Sequence, residues 1–384
     1  MKLGILLDTL IPGGVQKSAI EEYQYFKKKH YDVKIYVLME SKSDYKYQDL
    51  INQSDIVNLY EYYPPLFKRN FKFPLFHFLT FHHFVAPFFV HRYFKNNKVD
   101  ILISHNTTTT FSAVSIRKKL NIPYIYFLWD PMIYILKKVY SGTIMRLFFF
   151  VIVPILDIFE RRNLKYSSLV LTCSRVHTDL IKKRYNKESI IVQPGCYPVS
   201  QIDSNKEKIM LAFTRWDYDK HPLFLLEIIK RLQEIKLVIA GKWTSQKDFD
   251  DFKKRITKEN LGARVIIHDF LTKDKIVELS LKSLIWIHPN FEAFGMGGLE
   301  AAACGCPIII PDGSGVTEIF KNNEHGYFPK ELDIDSISAF IKKLIDNPAL
   351  SAKMGYNAWL TAKKYTWDYH SQCIENQFWK IEKK

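Results

Sequence analysis

Residues 288–318 read HPNFEAFGMGGLEAAACGCPIIIPDGSGVTE. The run just before them, Leu284-Ile285-Trp286-Ile287, is unbroken in its hydrophobicity, as a strand buried on both faces of a parallel sheet would be. Leu299-Glu300-Ala301-Ala302-Ala303 favours helix. Gly295, Gly297 and Gly298 therefore fall where a strand ends and a helix begins. There the backbone can come close to a ligand, and free N–H groups at the positive end of the helix dipole suit a diphosphate. Glu292 lies ahead of the helix, in the mouth of such a site. Glu300 lies about two turns on, within reach of neutral hydroxyls such as those of a ribose. Pro307-Ile308-Ile309-Ile310-Pro311 predicts the next buried strand, and Asp312-Gly313-Ser314-Gly315 a further loop at the same sheet edge. A lone glycine-rich turn is more often a packing feature. Here the two glutamates, the glycines, the Ala-rich helix and Gly-Cys-Pro follow in a fixed order.

A chain of 384 residues is long enough for two domains with separate cores. Hydrophobic residues at 47% and charged residues at 25% are ordinary for a globular protein. The net charge of +15 leaves nucleic acid, anionic lipid and phosphorylated substrates as partners. Five cysteines, at 173, 196, 304, 306 and 373, have no zinc or CxxC spacing, which predicts a reduced, cytoplasmic protein with no metal. Cys304 and Cys306 read as small packing residues. The apolar start is cut short by Asp8, so no leader is expected. Leu147–Phe159 is interrupted by Pro154 and Asp157 and is too short to span a bilayer.

The first half alternates strand and helix patterns. Strands are expected at 3–7, 33–38, 99–104, 124–128, 168–172 and 190–192, with helices at 18–29, 111–120 and 176–185. Such alternation argues for an α/β fold, a parallel sheet covered on both faces. Gly13-Gly14 joins the first strand to the first helix. It is either a ligand-facing loop or a tight turn with nothing bound. His105 and Asp130 each follow a strand and so lie at the sheet's carboxyl edge.

Two stretches depart from a plain domain of this kind. Residues 60–98 hold ten phenylalanines, four histidines and six Lys/Arg, with Glu61 the only acid. Residues 132–165 repeat the theme with Lys137, Lys138, Leu147–Val153, Arg161 and Arg162. Such a mixture suits helices lying on an anionic membrane surface, or else an aromatic core face with solvated lysines. No nucleic-acid-binding motif accompanies it.

The polar run from Gln193 to Lys208 reads as a linker. Strands at 209–213, 236–242 and 264–270 follow, then the stretch quoted above. The residues after the first of these, Thr214 to Pro222, contain Arg215 and Lys220. Asp217/Asp219, Asp248/Asp250 and Asp333/Asp335 have the DxD spacing of metal-dependent transferases, but three scattered copies are what chance gives.

Taken together, these motifs resemble the retaining GT-B glycosyltransferases, known as family 4 or glycosyl transferases group 1. The likeness is strong over 209–330 and weaker over 40–200. It implies two Rossmann-like domains facing across a cleft, divided as 1–200 with a returning helix at 366–384, and 201–365. It implies a sugar moved from a nucleotide-sugar to a hydroxyl with retention, without metal or cofactor. Glu292 would contact the transferred sugar, and the backbone at Phe294, Gly295 and Met296 would hold sugar and phosphates. Glu300 would hold the ribose, Arg215 and Lys220 the diphosphate, and Gly241 the nucleotide through its backbone. Gly13 and Gly14 would touch donor phosphate or acceptor. Many members carry a histidine where this chain has Trp129. His105 is the expected substitute and Asp130 a further polar group in reach, each open to a structural role instead. The acceptor would be a membrane lipid, a lipid-linked oligosaccharide or a surface glycan, met at the inner face of the cell membrane, and no nucleic-acid partner is expected. The base, UDP, GDP or ADP type, is not readable. Two other readings stand beside this one: an epimerase or phosphorylase of the same fold, motivated by the missing histidine, and a basic nucleic-acid-binding protein.

Overall fold

The computed structural model describes residues 1–40, 50–68, 72–73, 76–140, 144–203, 205–216, 220–269 and 271–382. It divides into two compact units, Met1–Gln193 with Trp367–Lys384, and Pro194–Thr366.

The first unit is built on seven parallel strands: β1 (Lys2–Leu7), β2 (Asp32–Val37), β3 (Ile56–Asn58), β6 (Ile101–His105), β7 (Tyr124–Leu128), β8 (Leu169–Thr172) and β9 (Ile190–Ile191). They lie in the order β3-β2-β1-β6-β7-β8-β9. A short antiparallel pair, β4 (Lys72–Phe73) and β5 (Phe76–Thr80), stands apart from this sheet. Every residue of β6 and β7 is buried, which is why both read as apolar runs. Chain order reverses between β1 and β6, so the crevice outside their carboxyl ends is the natural ligand position.

The second unit repeats the plan with six parallel strands: β10 (Glu207–Phe213), β11 (Lys236–Ala240), β12 (Val265–His268), β13 (Ser283–Ile287), β14 (Ile308–Ile309) and β15 (Gly326–Tyr327). Their order is β12-β11-β10-β13-β14-β15, with the reversal between β10 and β13. Its core gathers Met210, Leu225, Ile229, Leu237, Phe252, Ile285 and Ile341, all fully or almost fully buried. Burying each such side chain contributes about 1.5–3 kcal/mol. Helices here start on side-chain caps: Ser245 accepts from the Asp248 amide, and Asp333 from the Ser336 amide. Two of the three DxD-spaced pairs therefore sit at helix starts. The third, Asp217 and Asp219, lies outside the described residues.

Of the basic aromatic stretch at 60–98, part lies outside the residues whose side chains are described, and the helix that is described turns one side inward. Helix Phe81–Asn96 buries His82, His83, Val90 and Phe94, and packs on helix Thr107–Leu120. The second such stretch behaves differently. Phe111, Met132, Leu136, Tyr140 and Leu156 form a satellite core under helix Phe149–Tyr166, whose outer side stays apolar and exposed. Among the described residues no helix is long and apolar enough to cross a membrane.

Glu160, on that helix, is fully buried. Its Oε1 accepts from the Tyr126 hydroxyl at 2.7 Å and its Oε2 faces the Met132 amide at 3.4 Å. Burial raises its pKa from 4.5 to about 7. A pKa raised on folding contributes stability that is present below the unfolded value and is lost as pH climbs through the folded one. Wild type is therefore expected to lose about 3 kcal/mol between pH 4.5 and 8 through this group. Glu160→Gln should remove most of that slope, read as the difference in urea midpoint between the two pH values. An unchanged slope would show that Glu160 does not titrate in this range.

Candidate active site

The second unit brings several of the expected residues to one sheet edge. Arg215 and Lys220 belong to the segment after β10, Gly241 ends β11, and Glu292 to Met296 follow β13. Lys220 is buried and forms an ion pair with Glu292, directly across the β10/β13 reversal. His288 Nε2 lies 3.1 Å from Glu292 Oε1, so the carboxylate sits between a cation and an imidazole. The Glu292 loop is held from behind by the next loop. The Ser314 hydroxyl lies 3.2 Å from the Glu292 amide, the Gly315 amide donates to the Glu292 carbonyl at 3.2 Å, and the Val316 amide to the Phe294 carbonyl at 2.6 Å. These bonds fix the backbone that carries the carboxylate, so its position does not depend on the side chains around it.

Gly295 caps helix Met296–Ala302 with φ 96°, a left-handed conformation costly for any residue with a Cβ. A Cβ at Gly295 would also crowd Ile310 Cδ1 at 3.0 Å and Val316 Cγ1 at 3.3 Å, and the first amides of the helix that follows have no partner within it. Glu300 is half-buried on the same short helix. Gly241 has φ 126°, and a Cβ there would lie 1.7 Å from the Thr214 carbonyl oxygen. The close approach of two backbones next to Arg215 is thus the reason for glycine at 241. Burial pushes the Cys304 and Cys306 thiols up to about 12, as expected of packing residues.

In the first unit the outcome is different. His105, the expected substitute for the absent histidine, lies inside the unit. It is fully buried, its Nδ1 accepts from Trp129 Nε1 at 3.1 Å, and its Nε2 donates to Glu22 at 3.0 Å. Both ring nitrogens are used inside the unit, and the ring stacks on Phe127 and Trp129. Position in the strand-end register suggested exposure, but the side chain turns under the sheet edge. Trp129 is itself buried, whereas the neighbouring Asp130 is partly open, with Oδ1 3.6 Å from His177 Nε2. Gly13 is extended and precedes helix Gly14–Lys28 without a side-chain cap. A Cβ at Gly13 would meet only the flexible end of Gln16. Turn geometry therefore does not require glycine at 13.

Two groups at the unit's β1/β6 reversal, Asp8 and His83, escaped sequence reading as site residues. Asp8, just past β1, accepts from His83 Nε2 at 3.1 Å and from the Thr108 hydroxyl at 2.5 Å. The Thr80 amide donates to His83 Nδ1 at 3.0 Å, which fixes the ring's tautomer. A charged residue directly after a buried strand was the available signal for Asp8. His83 was hidden among aromatic neighbours.

Overlay on solved structures decides the architecture. Sucrose-phosphate synthase from Thermosynechococcus elongatus aligns with a TM-score of 0.80 at 14% identity, over 99% of this chain and 98% of that one. The fold is GT-B. A second GT-B structure, Anabaena HepE in complex with UDP and glucose, aligns with a TM-score of 0.75 at 15% identity, over 98% of this chain and 99% of that one. Residues 199–360, within the second GT-B unit, match the family described as Glycosyl transferases group 1. An uncharacterized glycosyltransferase of Methanocaldococcus jannaschii is 28% identical over 169 residues, 42% of this chain. The match spans 42% of that relative's length, so the chain spans less than half of the curated relative it matches.

Proposed function

We propose that the chain is a retaining glycosyltransferase that moves a sugar from a nucleotide-sugar to a hydroxyl acceptor. The observation that carries this reading is the Lys220–Glu292 pair at the β10/β13 reversal, beside a glycine-capped helix start. The chemistry follows from those groups. When the bond from the anomeric carbon to the diphosphate breaks, its electron pair stays on the phosphate oxygen. Lys220, Arg215 and the helix-start amides stabilise that growing charge more than they stabilise the intact donor. Glu292 accepts hydrogen bonds from the sugar hydroxyls, which orients the ring, and Glu300 accepts from the ribose. The acceptor hydroxyl oxygen forms the new bond to the anomeric carbon, and its proton passes to the departing phosphate oxygen. No metal takes part in this scheme.

The acceptor in this proposal is a membrane lipid, a lipid-linked oligosaccharide or a surface glycan at the inner membrane face. The exposed apolar side of helix Phe149–Tyr166, with cations at its end, supports that choice. A melting shift with UDP, GDP and ADP, followed by turnover of the matching nucleotide-sugars, tests the donor half. UDP is the first to try, since HepE was solved with it. Stabilisation by one nucleotide of several degrees at saturating concentration is expected, and no shift with any of the three would overturn the reading. An epimerase or phosphorylase is favoured by one feature, the inward-facing His105 and Trp129. Donor turnover that needs no acceptor hydroxyl, or that needs inorganic phosphate, would select it.

A further inference from the structure

Helix Phe149–Tyr166 and the turn before it carry two features that the transfer chemistry leaves unused. The first is a stripe. Leu147, Val151, Ile155 and Ile158 recur at helical spacing and are 48–68% exposed. Continuing the same spacing brings exposed Arg162 and Lys165 onto the end of the stripe. The second is a depression of about 460 Å³ beside it, lined by Asp157, Arg161, Leu180, Lys183 and Arg184. Asp157 is internally neutralised: Arg184 Nε donates to it at 2.8 Å, Arg184 adds a second bond, and the Tyr185 hydroxyl donates at 2.7 Å. Arg161 and Lys183 are exposed; Arg161 lies in the field of Asp157, whose carboxylate is already bonded to Arg184 and Tyr185. Arg161 is steadied by its bond to the Arg184 carbonyl at 3.2 Å and by the Tyr185 ring 5.2 Å beneath it.

We propose that this depression takes the phosphate headgroup of an anionic phospholipid, while the stripe from Leu147 to Ile158 lies in the acyl boundary of the same bilayer. The inference rests on the membrane half of the function proposed above and names the lipid group that the first unit grips. A planar guanidinium and a lysine beside a neutralised carboxylate suit a phosphate diester. Ile158 lies one turn from Arg161, so a phosphate over the arginine puts its lipid's chains over the stripe. A free phosphate or a nucleic acid would make no use of the stripe, which is why a bilayer lipid is the occupant chosen.

The full chain is tested by co-sedimentation with phosphatidylcholine vesicles, with and without phosphatidylglycerol. Binding should require the anionic lipid. Arg161→Glu with Lys183→Glu should lower it roughly tenfold or more. Lys247→Glu with Lys254→Glu, an equal charge change on the second unit, should leave it near wild type. Leu147→Glu with Ile158→Glu should abolish binding to the anionic vesicles. Melting temperatures close to wild type confirm that each variant is folded. Equal losses from the two lysine-containing charge reversals, or binding indifferent to phosphatidylglycerol, would overturn the headgroup site. So would a melting shift with inorganic phosphate alone in a chain that binds no vesicle, which would mark a free-anion site. Turnover of nucleotide-sugar in solution is scored separately in the same variants. Wild type that binds vesicles but turns over no donor would sink the transferase reading and leave this site standing.

Discussion

Glu292→Ala should lose sugar transfer by at least about 10²–10³-fold while the chain melts close to the wild-type temperature. The carboxylate is partly exposed and sits on a loop whose backbone is held by Ser314, Gly315 and Val316, so its removal leaves that scaffold in place. What disappears is the group set between Lys220 and His288. One competing account is that the variant fails only because it frees Lys220. The double variant Glu292→Ala with Lys220→Ala separates the two. If freeing the lysine were the whole effect, removing it would restore transfer. On the present reading transfer stays lost, because sugar orientation and leaving-group stabilisation are both gone. Glu292→Gln keeps the shape and some hydrogen bonding and should fall between. Near-normal turnover in Glu292→Ala would end the assignment.

The largest effect on stability is expected at Glu22. This fully buried carboxylate accepts from Ser18 at 3.0 Å and His105 at 3.0 Å, and meets His370 Nε2 at 3.1 Å. His370 Nδ1 lies 2.8 Å from the Gln193 carbonyl. His370 is thus held at both ring nitrogens, and its Nε2 also lies 3.0 Å from the Ser18 hydroxyl. Burial alone would raise the Glu22 pKa, but the two histidines outweigh it and lower it from 4.5 to about 2. Its contribution is therefore present above pH 4.5 and fades as pH falls towards 2. Glu22→Ala leaves the buried Ser18, His105 and His370 without their shared partner, at a cost of about 1–3 kcal/mol for each group left unsatisfied. For a unit of this size that is on the order of 10 °C in Tm. Helix Trp367–Glu375 should become protease-sensitive at the same time, because Glu22 is one of its main holds. A variant that melts as wild type does at pH 7 would show that the pair contributes nothing.

Much of this architecture could be read in advance, for physical reasons. Strands buried on both faces must be apolar throughout, so Tyr124–Leu128 and Leu284–Ile287 declared themselves. Strands of two or three residues, Ile56–Asn58 and Gly326–Tyr327, are too short to carry a pattern. The helix expected from Phe111 starts at Thr107, because buried threonines there satisfy their hydroxyls locally, as Thr109 does with the His105 carbonyl at 2.5 Å. On the site, glycine spacing and the paired glutamates located the second unit's sheet edge. Sequence could not show that His105 turns inward, since that depends on Glu22 and Trp129, one far away in the chain and one just past the end of the next strand. Nor could it divide the two aromatic stretches into one core helix and one half-exposed helix, because their compositions are alike.

The Glu22–His370 contact also bears on how the chain is made. Its two members stand 348 residues apart. While the polypeptide emerges from the ribosome, the carboxylate appears that many residues before its imidazole partner. Until then, burying Glu22 is opposed by its own desolvation. The first-synthesised lobe is therefore the last to mature, and the residues of the second have time to settle before the closing helix docks.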